Sequence, residues 1–115
     1  MRQITQDAVI AFEDDRPFKR ANTEVKVSDH STQLRLHDNT IAARFKGSGL
    51  VSFTLHGWGT LTTRERLNGL LKHLGYNTRV YQDKGVHYVW HEGQRHQVST
   101  YADWWVNSEN ELEVM

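Results

Sequence analysis

The chain has 115 residues, with 14 basic and 14 acidic side chains, no formal net charge at neutral pH and no cysteine. That length suits one domain with a modest core. The missing cysteine excludes disulfides, thiolate metal sites and a cysteine nucleophile, while the balanced charge argues against a surface built throughout to embrace polyanions.

Within that neutral sum the charge is uneven. Arg44 to Arg95 holds eight basic residues against the acids Glu65, Asp83 and Glu92, whereas the last stretch holds only Asp103, Glu109, Glu111 and Glu113. The opening residues Met1 to Asp7 lack the long apolar run of a signal peptide, and no apolar stretch approaches the roughly 20 residues that span a bilayer. Export and membrane insertion are both disfavoured.

From the N-terminus, Ile4, Ala8, Ala11 and Phe12 fall on one helical face, predicting a short helix over residues 4–14 that ends before Pro17. Thr23, Val25 and Val27 alternate with polar residues, as do Leu34 and Leu36, the period of half-buried strands separated by a turn at Asp29-His30-Ser31. Asp38-Asn39 reads as a two-residue hairpin connection leading into Ile41, Ala43 and Phe45 on one face. Gly47-Ser48-Gly49 turns the chain into a fourth strand over 50–55.

Thr62 and Glu65 have capping-box spacing, and Leu67, Leu70, Leu71 and Leu74 recur at i, i+3, i+4, i+7, so an amphipathic helix is expected over 62–74 with Gly75 as its left-handed stop. Strands follow over 77–82, 86–91 and 95–99, broken at Asp83-Lys84-Gly85 and Glu92-Gly93. Tyr101, Trp104 and Trp105 crowd a final short segment, expected as an aromatic helix capped by Ser99 or Thr100. Residues 107–115 then read as a frayed acidic tail. The pattern predicts a single α+β domain over 1–115: an antiparallel meander with the capped helix packed on it, a short N-terminal helix, a second meander and the aromatic helix.

Three segments resemble a family of small, uncharacterised bacteriophage proteins: Asn22-Thr23-Glu24-Val25, Leu36-His37-Asp38-Asn39-Thr40-Ile41-Ala42, and Gly57-Trp58-Gly59-Thr60-Leu61-Thr62-Thr63-Arg64-Glu65-Arg66-Leu67-Asn68. Where relatives read Gly-Asn after Leu-His, this chain has Asp38, which also accepts positive φ. The resemblance covers roughly residues 8 to 70, so the part after Leu74 reads as an extension particular to this chain. It implies a phage origin and a place in the host bacterial cytoplasm, and it supplies no activity, cofactor or catalytic residue.

Candidate chemistry is sparse. His87 and His91 stand four residues apart in a strand, about 13 Å, too far to share one ion, and His96 would add one ligand at most, so no metal or cofactor is expected and surface histidines are the better reading. His30 beside Asp29 and His37 beside Asp38 are acid/base pairs on paper only, because strand neighbours point to opposite faces. A non-enzymatic role is therefore expected, with a small enzyme bearing an unrecognised site as the remote alternative.

Two binding modes remain. Aromatics interleaved with basic groups on a sheet hold single-stranded nucleic acid, and Arg79, Tyr81, Tyr88, Trp90 and Arg95 form such a set, although Val86, Tyr88 and Trp90 alternate as a buried face also would. Arg64, Arg66, Lys72, Arg79 and Arg95 are the candidate nucleic-acid contacts. Tyr and Trp also dominate protein hot spots, which makes Tyr101, Trp104 and Trp105 the candidate protein contacts. An edge strand leaves homodimerisation open. The preferred expectation is a phage accessory protein that occludes a host or phage protein, with single-stranded or structured nucleic acid as the alternative ligand.

Overall fold

The computed structural model describes all 115 residues, as two helices and ten strands. Helix α1 (Gln3–Glu13) buries Ala8, Val9, Ala11 and Phe12. It stops at Asp14 and Asp15, the latter at φ 51°, ahead of Pro17. Its C-terminal carbonyls receive a cation, as the dipole favours: Arg44 donates to Phe12 O at 2.6 Å and Glu13 O at 3.1 Å.

Seven strands form one antiparallel sheet in the order β1-β2-β3-β4-β5-β9-β10. They are β1 (Phe18–Arg20), β2 (Thr23–Val27), β3 (Ser31–Leu36), β4 (Asn39–Phe45), β5 (Val51–Thr54), β9 (Asp103–Val106) and β10 (Leu112–Val114). The three-residue strand β1 has too little pattern to be read from sequence. The β3–β4 hairpin turns at His37-Asp38, one residue earlier than expected, with φ 50° and 65°, and Leu36 pairs Asn39. Beyond it, Arg35 pairs Thr40 while Leu34 pairs Ala42, so Ile41 is the extra residue of a β-bulge. A bulge reverses the alternation, since the side-chain period is two. It puts Ala42 and Arg44 on the core side and turns Phe45, expected beside Ile41 on the apolar face, outward to 51 % exposure.

After β5 the chain leaves the sheet to make helix α2 (Leu61–His73) and a second sheet, β6 (Thr78–Asp83), β7 (Val86–His91) and β8 (Gln94–Gln97). The cap of α2 is Thr60 and not Thr62: its Oγ1 accepts from the Thr63 amide at 3.2 Å, and the two hydroxyls meet at 2.9 Å. Glu65 therefore closes no capping box and turns instead toward Arg66 and Thr5. Leu67, Leu70 and Leu71 are buried and Leu74 packs half-buried against them. At the other end Gly75 stands at φ 83°, with its amide on Lys72 O at 3.1 Å and the Tyr76 amide on Leu71 O at 3.0 Å, the paired bonds of a Schellman stop.

The C-terminus corrects the expectation most. Residues 103–106 are no aromatic helix but strand β9, which returns beside β5 with Phe53 opposite Trp104 and Ser52 opposite Trp105. The acidic tail is strand β10, paired with β9 through Leu112↔Val106 and Val114↔Trp104. The Asn107 side chain accepts from the amides of Glu109 and Glu111, both at 2.9 Å, which closes the connecting turn. In a helix Trp104 and Trp105 would point about 100° apart; in a strand they point to opposite faces. Trp104 is fully buried and stacks on Phe53 at 4.7 Å between centroids, while Trp105 stands on the outer face.

One core joins α1, α2, the inner face of the large sheet and Val80, Val89 and Val98 of the second unit. Arg66 sits inside it at 1 % exposure, with Nε to Thr23 Oγ1 at 3.0 Å, Nη1 to Thr5 Oγ1 at 2.7 Å, and a charge-assisted bond to Glu65. Its Nη2 has no protein partner. Burial of a guanidinium is tolerable only with such partners.

Candidate interaction surfaces

With the helices and the small sheet packed on one side, the large sheet's other side is uncovered. The strand register sets Ala43, Ser52, Trp105 and Glu113 in a row across it. Phe45 (51 % exposed), Leu50 (37 %), Trp105 and Met115 (80 %) line one shallow depression of about 210 Å³ on that face. The Trp105 indole N–H is held by Glu113 at 2.7 Å, which fixes the ring's orientation. Trp105 was legible as a contact candidate; Phe45, Leu50 and Met115 were not, because the bulge and the β9–β10 hairpin bring them there.

Trp104 lies in the core, which removes it from any contact surface. Tyr101 is exposed but elsewhere, in the loop before β9, its ring so close to Gly57 that a Cβ there would come within 2.6 Å of it. Trp58 and Leu61, both exposed, stand on the adjoining loop and first turn of α2. That loop bends through left-handed His56 and Gly57 and is tied down by Arg64, which donates to Gly59 O at 2.7 Å and Gln82 at 3.1 Å.

The basic candidates disperse. Arg66 is core, because Thr63, Arg66, Leu67, Leu70 and Leu71 share the spacing of the buried stripe, a signal available in the sequence. Arg64 is occupied by the loop. Lys72 and Arg79 do meet, along a groove of about 660 Å³ between the end of α2 and β6, with Tyr76, Asn77 and Trp90 among its other walls. No carboxylate lines it.

The small sheet answers the two readings of its aromatics. Arg79 pairs Trp90, which pairs Arg95, and Tyr81 pairs Tyr88, so all five share the outward face. Thr78, Val80, Val89 and His91 are the buried set. The Tyr81 and Tyr88 rings stack at 5.6 Å, with the Arg95 guanidinium over Tyr88 at 4.2 Å and Arg79 over Tyr81 at 5.8 Å. Arg95 also reaches Asp83 at 3.4 Å. Tyr81 first, then Tyr88 and Asp83, hold the Arg95 guanidinium above its ordinary pKa.

His91 is not a surface histidine: it is buried, its Nδ1 on Thr78 Oγ1 at 2.7 Å and its Nε2 on Asn110 O at 2.8 Å, so it ties the small sheet to the β9–β10 turn. No three His, Asp or Glu side chains come together to hold a metal ion. No helix is long and apolar enough to cross a membrane. Two carboxyls titrate abnormally low. Asp15 is lowered by the Thr32 hydroxyl and then Arg44, and Asp7 by Arg20 and then Gln3. The first of these ties the turn after α1 to β3 and β4 in the middle of the sheet, and the second ties α1 to the edge strand β1.

No curated protein and no solved structure matches the chain. The family model described as Kyanoviridae Gp96 protein matches residues 1–110, and the chain belongs to that family of bacteriophage proteins. The match runs through the small sheet and the Trp104-Trp105 pair, so the part after Leu74 is no extension peculiar to this chain.

Proposed function

We propose that this phage protein is a non-enzymatic accessory protein that binds a host or phage protein through the uncovered face of its large sheet and acts by occluding it. The observation that carries the reading is the apolar island of Phe45, Leu50, Trp105 and Met115 around one depression, on a sheet whose opposite face supplies the core. Aromatic side chains held rigidly and half-exposed supply contact area at low entropic cost, as binding hot spots do. A shallow depression suits a protruding side chain of another protein better than a small molecule, which needs deeper enclosure.

The test is a tagged pull-down from infected host cells after nuclease treatment, with co-purifying proteins identified by mass spectrometry. The reading expects one protein near equal stoichiometry with wild-type bait and its loss with Trp105→Ala. A partner retained equally by Trp105→Ala and Phe45→Ser would remove the sheet face from consideration.

A further inference from the structure

The groove between the end of α2 and β6 has a chemistry the apolar island lacks, and nothing in the proposed protein contact uses it. Its two cations, Lys72 and Arg79, are exposed and form no ion pair, whereas Arg20, Arg44, Arg66 and Arg95 are each held by a carboxylate. None of the groove's walls is acidic. Trp90 is half-buried there with no hydrogen-bond partner for its indole N–H, and Asn77 has a free amide, while Asn68 is committed to the Val80 backbone and Thr78 to His91. The groove thus brings together an indole, two positive charges outside any ion pair and side chains without hydrogen-bond partners within one concavity.

We infer that this groove binds single-stranded nucleic acid, with a base stacked on Trp90 and the flanking phosphates on Lys72 and Arg79. Stacking on an aromatic ring beside basic groups is the general means of holding a strand without regard to sequence. The absence of carboxylates favours a polyanion, and the indole favours a base over an acidic peptide, which would find charge there but nothing to stack. The groove is open and continues onto the outward face of the small sheet, where Arg95 and the Tyr81–Tyr88 pair lie. A strand can therefore run through it, as an isolated mononucleotide would not need to. Arg64 and Arg66 take no part, being committed to Gly59 and to the core.

The test is fluorescence anisotropy of a labelled 12-nucleotide single strand of mixed sequence, as DNA and as RNA, titrated with the full chain at several salt concentrations. Saturable binding is expected with Kd on the order of 10 μM at low salt and a log–log salt slope of roughly −1.4 for two phosphate contacts. The double variant Lys72→Glu, Arg79→Glu should weaken binding at least about tenfold and abolish the slope. Trp90→Ala should weaken it about fivefold to a hundredfold, and Trp90→Phe, which keeps a ring and guards against misfolding, should retain most of it. Trp105→Ala should leave it unchanged, so the inference and the protein-contact reading fail separately. Unaltered binding by the charge-reversed variant, equal affinity for polyglutamate or for AMP, or no saturation below about 100 μM would each overturn the inference.

Discussion

Trp104 and Trp105 are neighbours in sequence and lie on opposite sides of one strand, and the two faces of the large sheet differ as they do. On the inner face Trp104 stacks on Phe53, Tyr76 closes edge-on at 6.2 Å, and α1 and α2 complete the enclosure. On the outer face Trp105 lies among Phe45, Leu50 and Met115 with nothing packed over them. The same residue type at adjacent positions thus serves cohesion once and exposure once. Periodicity decides which, and a change of period from helix to strand changes the answer.

The contrast can be broken first at the inner face. Trp104→Ala is expected to cost about 3–5 kcal/mol, the range for a buried aromatic, as read by urea denaturation. Arg66→Ala should cost about 3 kcal/mol or more, because it leaves a void in the core and removes the guanidinium shared by Glu65, Thr5 and Thr23. Thr60→Ala should cost about 1 kcal/mol by removing the helix cap, whereas Thr62→Ala should cost much less; equal losses would restore Thr62 as the cap. Trp105→Ala should change stability by less than about 1.5 kcal/mol and leave unfolding cooperative. If it unfolds the chain, the outer face is part of the core after all.

The smallest effect concerns acid. Asp15 has a folded-state pKa below its ordinary 3.8, through Thr32 and then Arg44. Its folded form therefore binds a proton less readily than the unfolded form, and the stability it contributes is present above about pH 4 and lost as pH falls through the folded value. Asp15→Asn should flatten that part of the acid limb of a pH–stability profile while leaving the neutral region's slope unaltered.

Much of the architecture was legible because it is written in short-range chemistry. The leucine stripe and Gly75 announced α2, and alternation announced the strands of both meanders other than β1, with ends displaced by a residue or two. What escaped depends on partners distant in sequence. The bulge at Ile41 arises from pairing with β3, and β9 becomes a strand because β5 and β10 flank it, against a local pattern that also fits a helical turn. The candidate contacts inherited those errors: Trp104 and Arg66 moved inside, while Phe45 and Leu50, from the two ends of one hairpin turn, and the distant Met115 gathered beside Trp105. Lys72, Arg79 and Trp90 were individually visible, but their shared groove required the docking of α2 against β6, fixed by the two bonds between Asn68 and Val80.

The most direct test of the division between faces is quantitative recovery of a nuclease-resistant protein partner from infected-cell lysate, comparing wild type with the double variant Phe45→Ser, Trp105→Ala after both have been shown to unfold cooperatively. Near-stoichiometric recovery is expected with wild type and loss of most of it with the variant. Equal recovery with both baits would contradict that division.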